Sequence, residues 1–149
     1  MLYKLEFLNK VMGEVVKKAD FVAVFKRGIK VLERQKLLSG LMNGGVVQLA
    51  LVGDAEIRQV NNMYRNIDKP TDVVSLSYFD QGYFPEDSLT GEIIISIDTA
   101  KRQAKEHKHS LNEELRFLFA HGLLHIFGYD HLKAGERKAM FELQDEVLK

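Results

Sequence analysis

Three of the chain's five histidines, His121, His125 and His131, fall within the eleven-residue stretch HGLLHIFGYDH at 121–131. His121 and His125 are four apart. On a helix that spacing stacks them on one face with Cβ atoms about 6 Å apart, close enough to share one ion. Gly128 follows, and a glycine there takes the left-handed conformation that ends a helix, letting the chain turn back and bring His131 toward the same point. Three imidazoles with one open position form a catalytic rather than a closed structural metal site, the open position being where a water is activated. Zinc is the expected ion, one per chain, although imidazoles also accept nickel, copper and iron. A lone histidine beside an apolar face is ordinarily a hydrogen-bonded core residue; three at this spacing, followed by a glycine turn, favour a metal. His107 and His109 lie in the charged segment KRQAKEHKH and read as a solvated helical end.

The HxxxHxxGxxH spacing also matches the ligand frame of metzincin proteases, in which a Glu after the first histidine is the general base. Here that residue is Gly122, which accepts no proton, so the protease reading keeps its metal and loses its base. A bound zinc lowers the pKa of its water to about 7, so hydrolysis stays feasible with a carboxylate elsewhere. Asp130 either orients a histidine from outside the ligand set or serves the turn. The chain has no cysteine, so thiolate metal sites and a cysteine nucleophile are both excluded.

The histidine stretch must be held by a helix. Ser110 and Glu113 form a capping box opening one in which Leu111, Leu115, Leu118, Phe119 and Ile126 make a broad apolar face, so this helix is expected to be substantially buried. Strands are expected at 46–52, 72–79 and 92–97, with a fourth at 3–8 where YKLEFL alternates. Asp54 is expected to cap a helix over 55–65 and Asp98 to start another over 99–108; residues 20–38 and 134–148 also read as helical. DQGYFPEDSLT at 80–90 is the best candidate for a mobile loop. Together these give an α/β (α+β) fold: a single layered domain over 1–149, with a mixed sheet of about four strands, flanking helices and a metal site at the end of the buried helix.

With 149 residues, 46% apolar, the chain can fill one core. No stretch reaches a membrane span and the N-terminus lacks a leader pattern, so a cytoplasmic protein is expected. Formal charge is zero, yet residues 1–71 carry 12 basic against 7 acidic side chains and residues 72–149 carry 9 against 14. That split can make a basic face for an anionic polymer or a mixed solvated surface.

HGLLHIFGYDH resembles the signature HGxLHLxGYDH of the YbeY endoribonucleases, also called rRNA maturation factors. NNMYRNIDKPTDVVSLS at 61–77 is similar to that family's N-x-x-Y-R-x-x-D-x-P-T-D-V-L-S-F-P, and TGEIIIS at 90–96 to its strand beginning GDI. Leu76 and Ser77 replace the usual Phe-Pro, Glu92 the usual Asp and Ile126 the usual Leu. The resemblance implies a single-strand-specific, metal-dependent endoribonuclease of ribosomal RNA maturation, near the 3′ end of the small-subunit RNA, and of ribosome quality control. Its partners would be single-stranded ribosomal RNA and the small subunit. His121, His125 and His131 carry over as metal ligands, and Arg65 as an active-site arginine able to grip a phosphate bidentately. By position alone Arg65, at the end of an amphipathic helix, would be a surface arginine. The competing readings are a metzincin-like metallohydrolase and a non-catalytic assembly factor whose metal is structural.

Overall fold

The computed structural model describes residues 2–13, 16–35, 44–78, 89–128 and 134–149. Four strands, β1 (Leu2–Asn9), β2 (Gly44–Val52), β3 (Val73–Ser77) and β4 (Leu89–Ser96), form one sheet in the order β1-β2-β4-β3. β1, β2 and β4 run parallel, while β3 pairs antiparallel with β4. Five helices accompany them: α1 (Ala19–Arg34), α2 (Asp54–Arg65), α3 (Ile97–Glu106), α4 (Leu111–Ile126) and α5 (Ala134–Leu148). The fold is α+β with a mixed four-stranded sheet, as its sequence pattern predicts.

Period two divides the central strands between two cores. Val47, Leu49, Leu51, Ile93 and Ile95 face one side and pack with Phe21, Leu115, Phe119 and Leu123 from α1 and α4. Ala50, Val52 and Val74 face the other side and meet Ile57 of α2. Because both faces are covered, β2 reads as a nearly continuous apolar run rather than an alternating one. α4 lies in the middle, against α1, α3, α5, β3 and β4, and buries nine of its sixteen residues. Both halves of its capping box form, Glu113 N–H donating to Ser110 Oγ at 3.1 Å and Ser110 N–H to Glu113 Oε1 at 3.3 Å. The Ser110 N–H donating to the carboxylate, with the Ser110 hydroxyl beside it, holds the Glu113 carboxyl below its ordinary range.

The starts of α2 and α3 differ from expectation. The N-cap of α2 is Gly53, and Asp54 is the first helical residue. Its carboxylate reaches across to α3, accepting from Ser96 Oγ at 2.6 Å, Thr99 Oγ1 at 2.7 Å and Arg102 at 2.9 Å. Asp98 returns the favour, its Oδ2 accepting from Asp54 N–H at 2.9 Å. The cap of α3 is Ser96, so the third predicted strand ends there and Ile97 opens the helix. Two helix N-termini thus share their carboxylates, a pairing between residues 44 apart that no local pattern reveals. β3 is shorter than predicted. Positions 36–38 of the first predicted helix and 80–88 of the predicted loop lie outside the described residues; Leu89 and Thr90 belong to β4. Among the described residues no helix is long and apolar enough to cross a membrane.

Candidate active site

His121 and His125 project from the last turns of α4 with ring centroids 5.4 Å apart and planes inclined at 60°. Gly128 has φ of +101° and donates its N–H to His125 O at 3.1 Å, the glycine turn expected from the sequence. Opposite stands Arg65, the last residue of α2, which ends where Asn66 enters the left-handed region at φ 60°. The loop beyond is fastened by buried Asn61, whose Nδ2 donates to Lys69 O at 2.9 Å. Arg65, Asp72, Val73, Ser75, His121 and His125 line one cleft of about 230 Å³. Three of the four predicted site residues therefore meet in one place. His131, the fourth, and Asp130 lie outside the described residues.

Arg58 and Arg102 are each engaged by a carboxylate, Asp68 and Asp54 respectively. Among the described residues none pairs with Arg65, so its guanidinium fork is available to an anion entering the cleft. Asp72 is the carboxylate of this wall that sequence reasoning did not single out. Its Oδ1 accepts from Val73 N–H at 2.7 Å and its Oδ2 from Gln103 Nε2 at 3.3 Å, so it is held in place from two sides.

Gly122 has a steric explanation. A Cβ at this position would stand 2.9 Å from both Ile93 Cγ2 and Ser75 Oγ, because α4 rests here directly on β3 and β4. The residue after the first histidine packs against β3 and β4, so a metzincin-type Glu has no room there without displacing Ile93 and Ser75. α4 is also tied at its end, where Ser77 Oγ donates to Ile126 O at 2.7 Å.

Sequence reasoning also missed Gln144. It lies on the buried side of α5 with Met140 and Val147, is itself 1% exposed, and its Oε1 stands 3.2 Å from His121 Nδ1. A carbonyl oxygen only accepts, so with the amide in this orientation the hydrogen bond requires the proton on Nδ1 and leaves the lone pair of His121 on Nε2. The available signal was a polar residue interrupting the apolar i, i+4, i+7 stripe Met140, Gln144, Val147. Two imidazoles four apart on one helical face, one of them held by an amide in this way, fit a borderline divalent metal.

His107 and His109 correct the expectation of a merely solvated helical end. Both reach Glu114 Oε1, His107 Nδ1 at 2.9 Å and His109 Nε2 at 2.6 Å, and Glu114 is 1% exposed. The ligand atoms of these three residues lie within 4.8 Å of one another, so the group could hold a metal ion. Two imidazole nitrogens converging on one oxygen at these distances is hydrogen-bond geometry. It anchors the turn between α3 and α4 on a buried carboxylate.

A polar cleft gathering imidazole and guanidinium at the end of a buried helix is the equipment of a hydrolase. The comparisons with known proteins make that class definite: the chain matches the protein family described as Endoribonuclease YbeY over residues 7–149, and it belongs to that family. It is 51% identical over 102 residues to the Endoribonuclease YbeY of Acholeplasma laidlawii, covering 68% of this chain and 72% of that protein. Over 126 residues it is 40% identical to the Bacillus licheniformis protein of the same name, with 80% of each chain covered. The solution structure of TM1509 from Thermotoga maritima aligns with a TM-score of 0.59 at 26% identity, covering 97% of this chain and 86% of that one.

Proposed function

We propose that this chain is a single-strand-specific, metal-dependent endoribonuclease of ribosomal RNA maturation, acting in the cytoplasm near the 3′ end of the small-subunit RNA. Ribosome quality control and contact with the small subunit belong to the same reading. The observation that carries it is the meeting of Arg65 with His121 and His125 around one cleft, although 56 positions of sequence separate Arg65 from His121.

His121, His125 and His131 would hold the metal, with zinc the ion that suits neutral imidazoles. Such an ion supplies Lewis-acid stabilisation of a phosphodiester and a more acidic water. Arg65 grips the non-bridging phosphate oxygens with its fork and offsets the negative charge that grows as the phosphorus becomes five-coordinate. Asp72, fixed by Gln103 and the Val73 amide, is the carboxylate of the cleft wall among the described residues and the candidate to orient an attacking water. The crowding at Gly122 counts against peptide hydrolysis by the metzincin route.

The test is cleavage of a single-stranded RNA and of casein by the wild-type protein and His125→Ala, with metal content measured on both. RNA cleavage that is lost along with bound metal, with casein untouched, is the expected result. Casein cleavage would restore the protease reading. Metal binding without cleavage of either substrate would leave a structural metal in an assembly factor.

A further inference from the structure

We propose that Gln144 is a positioning residue for His121: its amide oxygen holds the proton on Nδ1 and so presents Nε2 as the ligating nitrogen. The proposal rests on the metal reading of the cleft for its purpose, but not for its geometry. In water a neutral imidazole exchanges freely between its two tautomers, and only the one with its proton on Nδ1 can ligate through Nε2. The nitrogen opposite the metal is therefore where a protein secures the correct form.

The amide that does this is placed at a cost. Gln144 is buried on α5, and among the described residues its Nε2 has no hydrogen-bond partner. An amide whose NH2 is buried and unpaired destabilises the fold relative to an apolar side chain of the same shape. A residue selected for packing alone would be Leu or Met at this point of the Met140, Val147 stripe. Among the described residues the one bond the amide makes is to His121 Nδ1, at 3.2 Å. The amide could satisfy an imidazole in either orientation, but with Nε2 turned toward His121 it would stabilise the opposite tautomer. Ligation through His121 Nε2 and an amide turned with Oε1 toward His121 therefore favour each other. α5 is in turn held to α1 by Arg27 Nε donating to Val147 O at 2.7 Å and by the Arg34–Glu146 pair, so the position of Gln144 is set by the helix layer and not by the cleft.

The experiment uses the full chain with 15N-labelled histidine, stripped of metal by chelator. Long-range 1H–15N spectra report which ring nitrogen of His121 is protonated, in wild type, Gln144→Met and Gln144→Glu. Zinc affinity is then measured by competition with a chromophoric chelator, and unfolding by urea. Wild type is expected to show the Nδ1–H form. Gln144→Met should shift His121 toward the Nε2–H form and weaken zinc by about 10- to 100-fold, while its urea midpoint stays level or rises. Gln144→Glu, which keeps an acceptor, should restore both the tautomer and the affinity. Unchanged tautomer and affinity in Gln144→Met would overturn the proposal, as would a failure of Gln144→Glu to restore them. If wild type takes up no zinc, the metal reading fails, and the spectra of the metal-free protein still decide what Gln144 does.

Discussion

Arg65 carries the sharpest prediction at the scale of single residues. Arg65→Lys keeps the charge and loses the two-pronged grip, so single-turnover cleavage should fall by about 100-fold or more while metal content stays the same and RNA affinity changes little. Equal rates at equal metal loading would remove Arg65 from the chemistry. A fall matched by weaker binding would make it a substrate-positioning group. Gly122 makes a second prediction, since a methyl group there must displace Ile93 or Ser75. Gly122→Ala should cost about 1–3 kcal/mol in urea unfolding, and Gly122→Glu should not gain peptidase activity. At this scale the sequence was legible where chemistry and spacing coincide, as in His121 and His125 on one helical face. It was silent on Gln144, because a lone polar residue in an apolar stripe announces no partner, and it misread His107 and His109, because a charged neighbourhood does not disclose that buried Glu114 lies beneath them.

Among the elements, the shared N-termini of α2 and α3 are the feature most open to titration. Burial pushes the Asp54 carboxyl up, but bonds from Ser96, Thr99 and Arg102 outweigh it and hold the group below its ordinary 3.8. A carboxyl whose folded value is depressed contributes stability in full above its unfolded value, and loses it as pH falls through the folded one. Asp54→Asn should therefore lower stability by about 1–2 kcal/mol at neutral pH, with the gap to wild type closing below about pH 4. Urea midpoints across that range are the check, and a gap that persists at low pH would mean that shape rather than charge joins the helices. Four strands, the capped α4 and the closing α5 were all legible, because period two, a Ser-x-x-Glu box and an apolar stripe are local signals. The exchange of carboxylates between Asp54 and Asp98 was not, since each residue satisfies a different helix from the one its sequence position suggests.

For the molecule as a whole, two of the three proposed ligands, His121 and His125, sit on α4, which packs against α1, α3, α5, β3 and β4, so metal binding and global stability should be linked. Zinc at about a hundredfold over its dissociation constant would add about 2.7 kcal/mol, a rise in Tm of about 5–10 °C for a chain of this size. The rise should be absent in His125→Ala, and a wild-type Tm indifferent to zinc would break the link. The corner where α4 meets β3 and β4 has a different kind of consequence. Leu76 lies opposite Glu92 and Ser77 opposite Gly91 in the sheet register. Ser77 bonds the Ile126 carbonyl, and the Ile126 side chain fills the space where a Gly91 side chain would stand. Among the positions at which this chain departs from the signature it resembles, 77 and 126 thus meet on the α4 face, while 76 and 92 pair on the other face of the same two strands. Their histories should be entangled: Ser77→Pro alone strands the Ile126 carbonyl and should be poorly tolerated, whereas the same change made together with Leu76→Phe, Glu92→Asp and Ile126→Leu should be nearly neutral. The order in which a lineage could have crossed between the two signatures would then be restricted, and the corner would preserve a record of substitutions that had to travel together.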